Sequence, residues 1–284
     1  MDNFTSDLML DEATDFLSKI TKNPRLESEV LLAKILDKER EDFYKSNILV
    51  DEATYQHFRN LLKIRHQGKP IAYIVGKKEF WSLSFKINEN VLIPRPETEY
   101  LVECCLSLMQ ETNSYKLLEL GTGSGVISIA LAKENPNLEI TAVDISLKAL
   151  ELANKNALSH NIDNIVFKKS NWFENITDQD FDFIISNPPY VDKTQLTKKE
   201  MINLKYEPEI ALFSMDSGKS ALLHIIHKSH LFLNQGGTLI TEHSYNQKEF
   251  CQNQMKEQGF INIKTFDDLN SHPRVTMGSK SNDG

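Results

Sequence analysis

Asn187-Pro188-Pro189-Tyr190 closes an apolar run, Phe183-Ile184-Ile185, that reads as a buried strand. Each proline fixes φ and lacks an N–H, so two in succession end the strand in a stiff, extended kink. Such a kink turns acceptors outward: the side-chain carbonyl of Asn187 and the backbone carbonyl of Pro188. Two convergent acceptors can hold both hydrogens of a planar –NH2 group. An amide or aromatic amine is a poor nucleophile because its lone pair is delocalised. Gripping both N–H bonds draws that nitrogen toward pyramidal geometry, aims its lone pair, and stabilises the positive charge that develops on it. Pro189 and Tyr190 complete the expected substrate wall, with the Tyr190 ring stacking on the flat target. No base of unusual pKa is needed, since a methylated, protonated amide loses its proton readily to water.

A donor for that nitrogen is suggested upstream. Gly121, Gly123 and Gly125, interleaved with Thr122 and Ser124, follow the strand expected over 116–120 and open a helix. Glycines there allow a tight turn and close backbone approach to a ligand. A dinucleotide site requires G-x-G-x-x-G, and its third glycine position is Val126 here. G-x-G-x-G followed by Asp144 at the end of the next strand suits S-adenosylmethionine, whose ribose hydroxyls a carboxylate can accept. A purely structural turn is the alternative.

These residues need a scaffold that brings successive strand ends to one edge. From Lys116 onward, strands over 116–120, 138–143, 164–168, 181–186, 237–242 and 260–266 alternate with helices starting near Gly125, Ser146, Ser217 and Gln247. That alternation predicts an α/β fold with a doubly wound, mostly parallel sheet, whose ligands bind at the carboxyl ends of its strands. Residues 1–78 instead predict a small helical bundle, with a cap at Thr5-Ser6-Asp7, Pro24 in a first turn, and a helix running from Asp51 to Gly68. Leu8, Phe16, Leu17 and Ile20 are the expected core face of the first helix, and Leu26, Val30 and Leu31 that of the second. Period-two alternation over 80–87, a turn at 88–90 and a second strand at 91–93 predict a β-hairpin linker over 79–95. The expected domains are therefore 1–78, 79–95 and 96–284, with a helix from Pro96 to Met109 and a polar tail after Met277.

Composition narrows the function further. The net charge is −8, with 13 basic and 13 acidic residues in 1–78 and the whole excess beyond. Stable nucleic-acid binding is not expected, because phosphate neutralisation needs a basic face. Residues 63–78 hold five Lys or Arg and no acid, expected as a solvated loop that can meet an acidic partner. No apolar run reaches the ~18 residues of a membrane span. The acidic N-terminus is unlike a signal peptide, and three cysteines, two of them adjacent, read as buried thiols. The expected location is the cytoplasm.

The motifs together resemble a known family, the protein-(glutamine-N5) methyltransferases that modify peptide chain release factors. VLIPRPETEYLVE (91–103), ELGTGSGVISIALA (119–132), AVDISLKALELANKNA (142–157), SNPPY (186–190), YEPEIAL (206–212) and LITEHSYNQ (239–247) carry the resemblance. It implies a Rossmann-like methyltransferase sheet. Gly121 to Gly125 would wrap the methionine part of the cofactor, and Asp144 its ribose. Asn171 and Trp172 would border the adenine. Asn187 would face cofactor and substrate, and Pro188 to Tyr190 the glutamine of a Gly-Gly-Gln loop, with the helical domain docking the release factor. Asn171 stands where the family usually has Asp, Ser244 where glycine is common, and DSGKSAL (216–222) is looser than usual.

Three other functions compete: glutamine methylation of a large-subunit ribosomal protein, amino methylation of a nucleic-acid base, and a non-catalytic binding module. The acidic charge opposes the second and the intact N-P-P-Y the third. His224, His227 and His230 lack partners at zinc spacing, so no metal is expected. Met215 is expected in packing and Trp81 in an interdomain core. Glu97, Glu99, Glu242 and Arg274 remain undecided between substrate and structure.

Overall fold

The computed structural model describes residues 4–110 and 113–282. The chain forms two compact units. One contains the described residues up to Lys77 together with Lys198–Tyr206, and the other contains Lys78–Thr197 and the chain from Glu207 on. Beside the expected boundaries at 78/79 and 95/96, the chain thus makes one return to the first unit, at 198–206. Its helix, Lys198–Leu204, is followed by Lys205 and Tyr206, whose side chains donate to the Gln67 carbonyl at 3.0 and 3.4 Å.

In the first unit, helices Ser6–Leu17, Pro24–Leu36 and Glu52–His66 enclose a core of Met9, Leu10, Ala13, Leu17, Leu31, Leu32, Phe58 and Leu62. Thr5 and Asp51 cap two of these helices, accepting from the amides of Leu8 and Thr54. The buried faces differ from those expected: Leu8, Phe16 and Leu26 are exposed. The first helix buries an i, i+1, i+4, i+8 stripe, one position away from Leu8. The basic run 63–78 is not a loop. It comprises a helix end, the short helix Ile71–Val75 and the start of a strand, and Arg65 is paired with Glu27 at 2.6 Å.

The hairpin is real but displaced. Its strands are Lys77–Phe80 and Leu83–Lys86, with Trp81 and Ser82 as a two-residue turn, both at positive φ as a primed hairpin turn demands. Residues 91–93 form no strand. The Trp81 amide donates to Glu99 and its indole to Glu134, both at 2.7 Å, so Trp81 packs on the core of its own unit. The expected helix 96–109 is a 3-10 turn, Pro96–Thr98, followed by Glu99–Leu106.

The second unit is built on a seven-stranded sheet. In chain order its strands are β1 (Tyr115–Leu120), β2 (Leu138–Asp144), β3 (Ile165–Lys169), β4 (Phe181–Ser186), β5 (Leu233–Glu242), β6 (Phe260–Asp267) and β7 (Pro273–Lys280). They lie in the order β6-β7-β5-β4-β1-β2-β3. β1 to β5 run parallel, and β7 is antiparallel to both of its neighbours. The expected polar tail is therefore strand as far as Lys280, and its last two residues lie outside the described ones. Both faces of the sheet are covered, which is why Leu117-Leu118 on β1 and Phe183-Ile184-Ile185 on β4 are consecutive apolar residues rather than an alternation. Leu117, Ile140 and Ile185 pack with helices Glu99–Leu106 and Val126–Glu134, whereas Leu118, Val143 and Ile184 pack with Ser220–Ser229 and Lys248–Glu257. The order reverses between β1 and β4, which opens a crevice at their carboxyl ends. Among the described residues no helix is long and apolar enough to cross a membrane.

Candidate functional site

The crevice holds a cavity of about 470 Å3, and the loops after β1, β2, β3 and β4 all reach it. After β1, the Gly123 amide donates to Asp144 Oδ2 at 2.9 Å, in a left-handed conformation. A Cβ at Gly123 would touch nothing but open space, so the loop is bare on its cavity side. After β2, Asp144 Oδ1 accepts from the Ser146 amide at 2.8 Å, and Ser146 in turn caps the next helix. Burial raises the Asp144 pKa above the usual carboxylate range, opposed by those amide bonds. Each oxygen spends one lone pair on the backbone and keeps acceptor capacity for a ligand.

After β3, the Trp172 ring lies 3.6 Å from where a Gly121 Cβ would stand. Asn171 donates its Nδ2 to Glu174 at 2.7 Å, leaving its carbonyl available. Both residues line the cavity, as do Thr122 and Ser124. After β4, Asn187 and Pro189 line it too, beside Thr98. Asn187 Nδ2 donates to Thr98 Oγ1 at 3.0 Å, so Oδ1 is the free end of that amide. Pro188 is buried, and its carbonyl accepts no backbone hydrogen bond among the described residues.

The structure separates three expected site residues from the cavity wall: Gly125, Pro188 and Tyr190. Gly125 caps the following helix. The Tyr190 hydroxyl donates to Glu242 Oε1 at 2.9 Å and its ring packs on the sheet core, so the face expected to stack on a substrate is turned inward. Burial and the Glu242 charge push the phenol far above its ordinary value.

Several wall residues have no role at the site expected from the sequence. Arg95 pairs with Glu207 at 2.6 Å, and Glu207 Oε2 accepts from the Ile93 amide at 3.1 Å, fixing the 91–95 segment against the cavity. Met215 is 77% exposed at the rim, so it is not a packing residue. His224 lines the cavity with its ring 6.2 Å from that of Phe173. His227 bonds Gln254, and His230 packs edge-on against Phe260. Of the undecided residues, Glu99 accepts from Trp81, Arg274 pairs with Asp268 at 3.1 Å, and Glu242 is fully buried.

Beneath the glycine loop, Glu119 is fully buried on β1. Its Oε2 accepts from Thr122 Oγ1 and from both the amide and hydroxyl of Ser128, while Oε1 has no partner. Burial pushes its pKa up to about 7, against the opposing Ser128 and Thr122 bonds. The folded value exceeds the unfolded one, so its contribution to stability is complete below about 4.5 and lost as pH rises through about 7. That difference corresponds to roughly 3 kcal/mol. Urea unfolding of the cofactor-free protein at pH 5 and pH 8 tests this. Glu119→Gln should lose less stability than the parent over that interval, and an equal loss in both proteins would mean that Glu119 is ionised throughout.

The residues present fit S-adenosylmethionine. A cavity of this size lies within the ~300–1,000 Å3 of small-molecule sites. It meets a bare glycine loop, a carboxylate with spare acceptors and an indole, and a partly unsatisfied acid lies beneath the loop.

Residues 98–206 match the family model described as the methyltransferase small domain, and residues 9–76 that described as the PrmC N-terminal domain. The chain is 41% identical to a release factor glutamine methyltransferase of Aliivibrio fischeri, over 90% of each chain. Identity to that of Coxiella burnetii is 38%, over 96% of this chain and 99% of the relative. A bifunctional methyltransferase of Rickettsia prowazekii is 39% identical over 94% of this chain and 56% of its own. A methyltransferase structure from Pyrococcus furiosus shares the fold at a TM-score of 0.54 and 18% identity, over 78% of this chain and 98% of its own. With full-length relatives at this identity, the chain belongs to the release factor glutamine methyltransferase family, whose enzymes depend on S-adenosylmethionine.

Proposed function

We propose that this chain methylates the side-chain amide nitrogen of a glutamine in a peptide chain release factor, within a Gly-Gly-Gln loop. The observation that carries this reading is the polarity of Asn187. Its Nδ2 is spent on Thr98, so an acceptor rather than a donor is presented at the cavity. An incoming glutamine amide has two N–H bonds. Asn187 Oδ1 takes one, and we assign the other to the Pro188 carbonyl, which has no backbone partner but whose residue lies behind the cavity wall, so the turn must shift to present it. S-adenosylmethionine, when bound, supplies an electrophilic methyl group on a sulfonium.

The chain's own residues act in three ways. Gly121 to Gly125, Asp144, Asn171 and Trp172 hold the cofactor. Asn187, Pro188 and Pro189 orient the amide and stabilise the charge that grows on its nitrogen. Tyr190 braces the turn from behind through Glu242. With S-adenosylmethionine held there, its S–CH3 bond would break as the N–CH3 bond forms, leaving S-adenosylhomocysteine, and the methylated amide would then lose its extra proton to water. We assign substrate docking to the helical unit, with 63–78 and its basic side chains as one docking element. The free, buried cysteines support a cytoplasmic setting.

Incubation with methyl-labelled cofactor and separate release factor, ribosomal protein, DNA and RNA, followed by mass mapping, tests the assignment. Label should fall on the Gly-Gly-Gln glutamine of the intact release factor. A short Gly-Gly-Gln peptide should react at a far higher KM, because it cannot engage the helical unit. Label on a ribosomal protein or a base would replace the proposed substrate, and equal KM values would remove the docking role.

A further inference from the structure

The polarity of Asn187 needs a cause, because an asparagine amide fits almost equally well when its oxygen and nitrogen are exchanged. Only hydrogen-bond partners choose between the two arrangements, and here the partner is a hydroxyl that can play either role. Thr98 Oγ1 carries one proton. If that proton points at Asn187, the amide presents oxygen to Thr98 and nitrogen to the cavity. An incoming substrate amide would then meet a donor with a donor.

A carboxylate at the end of β5 decides the matter. Glu242 is fully buried, which raises its pKa, and hydrogen bonding from the neighbouring Thr98 and Tyr190 hydroxyls opposes that rise by favouring the carboxylate. Its Oε1 accepts from Tyr190 at 2.9 Å, and its Oε2 receives no bond of ordinary geometry. The orphan oxygen and the uncommitted hydroxyl proton are complementary. The register places this carboxylate beside the turn, since Ser186 pairs with Thr241 where β4 and β5 end.

We propose that Glu242 is a positioning residue for methyl transfer: as an acceptor-only group it draws the protons of Thr98 and Tyr190, and so fixes Asn187 with its carbonyl toward the substrate. This rests on the reading above, in which Asn187 accepts an N–H of the substrate amide. A single buried charge then sets the polarity at both ends of Asn-Pro-Pro-Tyr. Glutamine at position 242 keeps the shape but adds two donors. It lets the Thr98 proton turn back to Asn187, and the amide flips.

The test compares Glu242→Gln, Thr98→Val, Thr98→Ser and Asn187→Ala in single-turnover methylation of the release factor, with cofactor affinity measured by calorimetry. Glu242→Gln and Thr98→Val should each lower the transfer rate about 10- to 100-fold, less than removing the Asn187 amide itself. Cofactor Kd should stay within about threefold, and Thr98→Ser, which keeps the hydroxyl, should retain the parental rate. The double variant Glu242→Gln/Thr98→Val should be no slower than Thr98→Val alone, because both changes act on one bond. Should Glu242→Gln fail to fold, the Thr98 pair carries the comparison. Parental turnover in Thr98→Val, or equal damage from Ser and Val, overturns the relay while a crippled Asn187→Ala keeps the underlying reading. Parental turnover in Asn187→Ala overturns both.

Discussion

Asn187→Ala is expected to lower the rate of methyl transfer by about 10²–10³-fold, while the cofactor still binds. The size follows from what the amide does, since one preorganised partner of a group that gains charge in the transition state is typically worth that factor. On the proposed reading the Pro188 carbonyl would remain to hold one N–H, so the substrate amide should still enter but be free to rotate about that single bond. Folding suffers less. The lost Asn187–Thr98 hydrogen bond is one part-buried contact, worth about 1 kcal/mol. Rapid-quench single turnover with mass detection separates the effects, since kcat should collapse while thermal stability moves by a few degrees. Asn187→Asp sharpens the comparison. It keeps an acceptor at the cavity but turns a second carboxylate oxygen toward the Thr98 lone pair, next to Glu242. Recovery in that variant would mean that any oxygen suffices and that polarity is irrelevant. Near-parental turnover in Asn187→Ala would remove the amide grip altogether.

The parts of this site that sequence reveals are those that depend on local backbone chemistry. Gly121, Gly123 and Gly125 are legible because the turn after β1 takes left-handed φ at each of them. Asp144 ends β2 and Asn187 follows β4, strands that the sequence pattern marks. Other features arise from residues distant in sequence. Thr98, Asn187 and Glu242 come from three separate segments, and only the placement of β5 beside β4 unites them. β7 is hidden because Pro273-Arg-Val-Thr-Met-Gly-Ser-Lys280 mixes apolar and polar residues without clean alternation, as befits a strand buried along its middle. The hairpin turn is hard to place because Trp81 and Ser82 adopt positive φ without a glycine or asparagine to announce it. Helix Lys198–Leu204 is nearly all polar or exposed, so nothing local foretells that it packs with the first unit. The inward Tyr190 has the same origin, since its partner Glu242 lies 52 residues away.

Gly218→Ala should be the most damaging small substitution in the second unit. Asp216, Ser217 and Gly218 are three successive residues at positive φ, at 53, 56 and 81°. Two of them already carry the strain of a left-handed side-chain residue, about 1–2 kcal/mol each. At Gly218 that strain is absent, and there is a second reason for glycine. A Cβ there would lie 2.2 Å from the carbonyl oxygen of Tyr190, a backbone atom that cannot rotate aside. The Gln247 amide clamps this approach by donating to the carbonyls of both Tyr190 and Gly218 at 3.2 Å. An alanine therefore adds left-handed strain and an overpacking cost of about 1–3 kcal/mol, for a total of roughly 2–5 kcal/mol. Much of the relief must come from moving Tyr190, and with it the turn proposed to hold the substrate. Two measurements should respond together: the unfolding midpoint in urea falls, and the transfer rate falls even at temperatures where the protein stays folded. Asp216→Gly, which relieves strain without touching Tyr190, should instead stabilise the fold by a fraction of that amount. If Gly218→Ala unfolded at the parental midpoint and turned over at the parental rate, the close packing of this loop on the Asn-Pro-Pro-Tyr turn would have no part in shaping the site.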